Sequence, residues 1–135
     1  AEKLCKEMGL YQDPYRDFGR LQLELHRAIR LVVDSGIHHK HWSREQAIKY
    51  VGDNSADAEG GIVKAIERYI VYPGQATAYM VGKLKIEELK AKAKQQLGAK
   101  YDERGFHDTI LLAGSMPLGM LQTRADEWIA QVKAS

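Results

Sequence analysis

A chain of 135 residues with 44% hydrophobic and 28% charged side chains has the size and balance of one soluble globular domain, or of one large piece of a bigger protein. The 20 basic and 18 acidic residues leave a formal charge of only +2, which argues against a dedicated nucleic-acid binder with its basic face. No apolar run approaches the ~20 residues that span a bilayer, the opening residues do not read as a signal peptide, and the single Cys5 has no internal disulfide partner.

Ala1 to Met8 reads as a helix, with Leu4, Cys5 and Met8 at helical spacing. It opens without a capping residue, which predicts a chain cut in mid-element. Gly9 closes it, and Asp13-Pro14 turns the chain into a helix from about Tyr15 to Ser35. One stripe of that helix is Phe18, Leu21, Leu25, Ala28, Ile29 and Val32; the far side holds Leu23, Arg27, Arg30, Leu31 and Asp34. A helix apolar on two sides is buried on two sides, so a second covering partner is expected. Arg30 and Asp34 stand four apart, the spacing of an intrahelical pair.

Gly36 is expected to end this helix, leaving Ile37 to Trp42 as a loop with three histidines. Zinc needs three or four converging ligands, and no cysteine or carboxylate stands at ligand spacing beside them, so no metal site is assigned to this chain. Ser43 with Gln46 makes a capping box for a short helix to about Asp53. Ser55 is expected to cap the next, with Ile62, Ala65, Ile66, Tyr69 and Ile70 on its inner face.

That helix breaks at Tyr72-Pro73-Gly74, because proline disfavours helix in the residue before it and glycine turns without a Cβ clash. The longest helix is expected to start at once and run from about Gln75 to Leu97, with Gln75, Tyr79 and Gly82 on one face and a lysine-rich solvated face opposite. Gly82 there predicts close approach of another backbone. Asp102 caps a short helix stopped by Gly114, and Pro117 opens a last one through Leu121, Ala125, Trp128 and Ile129. No segment alternates with period two. The sequence predicts an all-α fold of six to seven helices with short connections, residues 1–135 forming a single all-α domain or fragment with a truncated opening helix at 1–8 and a helical core over 15–134.

Several motifs in order carry a resemblance: Gly9-Leu10-Tyr11 with Asp13-Pro14, Phe18-Gly19-Arg20-Leu21, Arg30-Leu31-Val32-Val33-Asp34, Gly36-Ile37-His38 and Trp42-Ser43-Arg44-Glu45-Gln46-Ala47. Arg68-Tyr69, Pro73-Gly74-Gln75-Ala76, Tyr79, Gly82, Phe106-His107-Asp108 and Pro117-Leu118 continue it. Together they resemble the C-terminal part of the bacterial proteins called domain of unknown function 885, which look like zinc metallopeptidases of the gluzincin type. The family's zinc-binding helix would lie before Ala1. The resemblance thus implies a C-terminal helical portion, inactive alone, whose partners are the missing N-terminal part and a peptide substrate of the whole protein. Zinc belongs to the full-length parent and no cofactor to this chain. The resemblance further implies oxyanion donors among Tyr79 and His38, a substrate carboxylate held by Arg30 and Arg68, and further substrate-binding contacts from Gln75 and Tyr69. It points to the bacterial cell envelope. The alternative is a self-standing helical interaction module without enzymatic activity. Both readings expect exposed apolar surface, and with it self-association into a homo-oligomer.

Overall fold

The computed structural model describes residues 2–135, with the side chains from residue 3 onward. Seven α-helices and one 3-10 turn make up the ordered elements, and no strand occurs among the described residues. They are α1 (Glu2–Glu7), α2 (Pro14–His38), α3 (Arg44–Asn54), α4 (Glu59–Val71), α5 (Ala78–Leu97), α6 (Glu103–Leu111) and α7 (Leu118–Ala134), with the 3-10 turn at Gly98–Lys100. The all-α expectation holds. The residues form two compact units, one reaching to Met80 and the other Val81–Ser135.

In the first unit, α2 is nucleated by Asp13, whose side chain accepts from the Tyr15 amide at 2.9 Å, with Pro14 at the first helical position where a missing N–H costs nothing. Ser43 and Gln46 close the expected capping box on α3. The core is Ile29 and Val33 from α2, Ala47 and Val51 from α3, Ile62, Ile66 and Tyr69 from α4, and Ala76 from the following turn. These residues come from the C-terminal half of α2 only. A helix of 25 residues is about 37 Å long, whereas the 11 and 13 residues of α3 and α4 reach about half of that. Phe18, Leu21 and Leu25, expected on the inner stripe, are therefore exposed, at 60%, 50% and 48%. With Asp53 to Ala56 they line an open groove of about 730 Å³.

Four local expectations are corrected. Helix α2 runs through Gly36 to His38, so the glycine is not a stop. It is buried because the Trp42 ring lies against it; a Cβ there would meet ring carbons at 2.4–2.8 Å. Ser55 ends α3, its hydroxyl accepting from the Asp57 amide at 3.3 Å, and α4 starts later, after Ala58, without a side-chain cap. Helix α5 starts at Ala78, after a turn over Gln75 to Thr77, and at 20 residues is shorter than α2. A Cβ on Gly82 would meet nothing within 4 Å, so no neighbouring backbone crowds it.

The second unit packs Leu89, Ala93 and Leu97 of α5 against Phe106 of α6 and Leu121, Ala125 and Ile129 of α7. Phe106 is 1% exposed, and Tyr101 and Trp128 stack around it at 6.3 and 6.1 Å between ring centroids. Asp102 caps α6 as expected, accepting from the Arg104 and Gly105 amides.

Candidate functional site: an arginine corner

The turn between α4 and α5 is tied to α2 by one buried acid. Asp34, 3% exposed, accepts the Gly74 amide with both carboxylate oxygens, at 3.0 and 3.2 Å. Gly74 sits at φ +79°, a left-handed conformation that glycine adopts without Cβ strain. The Thr77 hydroxyl donates to the Gly74 carbonyl at 2.8 Å and tightens the same turn. The sequence pairs Asp34 with Arg30, one helical turn back; Asp34 instead holds a backbone amide forty residues on, and Arg30 turns elsewhere.

Arg30 reaches the far side of the corner. Its Nη2 donates to Gln75 Oε1 at 3.1 Å, and its guanidinium carbon lies 4.6 Å from the Tyr79 ring centroid and 5.5 Å from that of Tyr69. Both distances are within cation–π range. Its Nε is buried without a hydrogen-bond partner. No carboxylate of the described residues stands within ion-pairing distance of this cation. Tyr69 is 6% exposed, and burial pushes its phenol up from the ordinary value against the opposing pull of Arg30 and Arg68, so it stays neutral. Tyr79 is 50% exposed, with its hydroxyl unbonded among the described residues.

Four of the six residues singled out from the sequence thus converge: Arg30, Tyr69, Gln75 and Tyr79. His38 stands apart from the guanidinium. Its Nε2–H donates to the Tyr69 carbonyl at 2.9 Å, which also accepts from the Tyr72 amide. The imidazole thereby satisfies a carbonyl in the last turn of α4. Arg68 is exposed on α4 and makes no hydrogen bond to the cluster. Two acids near it in sequence have other partners, Glu67 with Arg44 at 2.6 Å and Asp57 with His26 at 3.4 Å. The Asp34–Gly74 contact had no sequence signal, because nothing local links residues so far apart. Among the described residues no three His, Cys, Asp or Glu side chains gather into a possible metal site.

The family model described as bacterial protein of unknown function (DUF885) matches residues 1–124. A solved structure described as "the putative lipoprotein from Colwellia psychrerythraea" is similar at 47% identity with a TM-score of 0.90, over 96% of this chain. The chain spans 22% of the length of that protein. No curated protein matches. With nearly the whole chain covered by the family model, this protein belongs to the DUF885 family of bacterial proteins of unknown function.

Proposed function

We propose that this chain is the C-terminal, cleft-lining helical portion of a larger zinc-dependent peptidase, in which Arg30 and Gln75 hold a substrate carboxylate and Tyr79 offers its hydroxyl to the reacting carbonyl oxygen. The observation that carries this reading is the Arg30 guanidinium: a cation faced by an amide oxygen and two aromatic rings, with no acid to neutralise it. Arginine's planar fork matches a carboxylate bidentately, and such charge-assisted pairs are the strong ones. Gln75 fixes the fork through one hydrogen bond and both rings lie within cation–π distance of it, so less freedom is left to lose on binding. The half-exposed phenol of Tyr79 lies against the same fork, with its proton available to a second acceptor.

His38 is the weaker candidate for that role, because its Nε2–H is committed to the Tyr69 carbonyl. Arg68 fits a contact at the edge of the cleft. Among the described residues no set of side chains gathers to fit a zinc site; in this reading zinc is held by the rest of the protein, which also covers the apolar face of α2. The name of the Colwellia protein supports placing the whole protein at the bacterial envelope.

The test is steady-state kinetics on the full-length protein, using one peptide with a free and with an amidated C-terminus. Arg30→Gln should raise KM for the free acid by roughly tenfold or more and leave the amide nearly unchanged. Equal losses on both substrates would remove Arg30 from carboxylate recognition. Absence of any peptidase activity in a folded, zinc-loaded full-length protein would favour the interaction-module reading instead.

A further inference from the structure

Beside the arginine corner, α2, α3 and α4 line a half-open cavity of about 300 Å³. Its apolar wall is Ile29, Val51, Ile62, Ala65 and Tyr69, of which Ile29, Val51, Ile62 and Tyr69 are 5–6% exposed and held in the core. Arg30 also lines it, so the cation that lacks an acid partner borders an apolar space. Asp57, the one acid on the wall, faces His26 Nδ1 at 3.4 Å and makes no ion pair with Arg30, whose own contacts are Gln75 and two aromatic rings. A volume of this size is at the lower end of ligand pockets, which run from roughly 300 Å³ upward, and suits one small group rather than an extended ligand.

We infer that this cavity receives an apolar side chain borne next to a carboxylate, the chemistry of a peptide's hydrophobic C-terminal residue, with the acid on Arg30 and the side chain against Ile29, Val51 and Ile62. Arg30 and Tyr69 belong to both the corner and the wall, so a single amino-acid-sized ligand spans the two. The inference rests on reading Arg30 as a carboxylate anchor and adds the preference of that anchor for large apolar over small residues. The apolar contacts set the selectivity, since each added methylene that enters a preformed apolar pocket is typically worth about tenfold or more in discrimination.

The test is binding, not turnover: titration calorimetry of the full-length protein with N-acetylglycine, N-acetyl-leucine, N-acetyl-leucinamide and 4-methylpentanoate. N-acetyl-leucine should bind at least about tenfold more tightly than N-acetylglycine, and the amide should bind far more weakly than the acid. Ala65→Leu, which fills the cavity from α4, should erase the leucine advantage. Should that variant not fold, the ligand series on the wild-type protein decides alone. Equal binding of the glycine and leucine acids, both dependent on Arg30, would overturn the pocket and leave the anchor standing. Binding of none of the acids, or of the amide as tightly as the acid, would overturn both. Tight binding of 4-methylpentanoate supports the pocket and assigns it free acids; its exclusion supports the peptide end.

Discussion

Tyr79 and Gly36 show how differently two single residues depend on their surroundings. The Tyr79 ring is held by Arg30 while its hydroxyl is free, so Tyr79→Phe keeps the packing and removes only a donor. If the proposed function holds, this change in the full-length protein should lower kcat by about 10²–10³, with melting temperature and zinc content unchanged. An unaltered kcat would return Tyr79 to a packing role and move the test to His38. Gly36 has no such freedom, because the Trp42 ring occupies the place of its Cβ. Gly36→Ala should destabilise the fold by about 1–3 kcal/mol through overpacking. The displaced indole, which now lies 5.3 Å from the Tyr50 ring, should report the change in its fluorescence maximum. A stability unchanged within error would mean that Trp42 moves aside without cost. The glycine was visible in the sequence and its purpose was not, since a helix stop and a ring contact demand the same residue type.

At the scale of elements, the caps at Asp13, Ser43 and Asp102 were legible because each is a conversation between residues two or three apart. The corner after α4 was legible as a break, from Pro73 and Gly74, but its anchor on α2 was not. Removing that anchor by Asp34→Ala should cost about 1–3 kcal/mol, leaving the Gly74 amide without its acceptor. If chemical denaturation shows no loss, water replaces the carboxylate. Helix α6 carries a pH dependence of its own. The Lys90 hydrogen bond, with Lys90 and Lys94 charges and the Tyr101 hydroxyl behind it, brings the Glu103 carboxyl from 4.5 down to about 2. A carboxyl depressed in the folded state stabilises above its unfolded value, and that contribution is lost as pH falls from about 4.5 to about 2. Tyr101 has the opposite sense: burial first, then Glu103, pushes its phenol up to about 12, so stability falls as pH rises from 10.0 toward about 12. Glu103→Gln should flatten the acid limb of a melting-temperature profile and lower the onset of Tyr101 ionisation. An acid limb of unchanged steepness would show that other carboxyls carry it.

At the scale of the whole molecule, hydrophobic periodicity was sufficient to read an all-α fold, because a 3.6-residue repeat needs no knowledge of partners. It could not tell which part of a long helix would be covered. Phe18, Leu21 and Leu25 have the same spacing as Ile29 and Val33, yet only the latter pair meets α3 and α4. The four residues of the arginine corner were each named from the sequence, while the cavity beside them was not, since a void is a property of three helices at once. The uncovered face of α2 should drive self-association of the chain in isolation, seen as a concentration-dependent sedimentation coefficient. Leu21→Glu with Leu25→Glu should restore a monomer, whereas a wild-type monomer at high concentration would end this expectation. The same face alters how the folded protein meets a fluorescent probe such as anilinonaphthalene sulfonate, whose emission ordinarily rises when a core opens. Here the dye finds Phe18, Leu21, Leu25 and the groove they line while every helix is intact. A dye-monitored melt of this chain should therefore begin bright and dim on unfolding, an inverted curve that a routine screen would score as a protein already denatured.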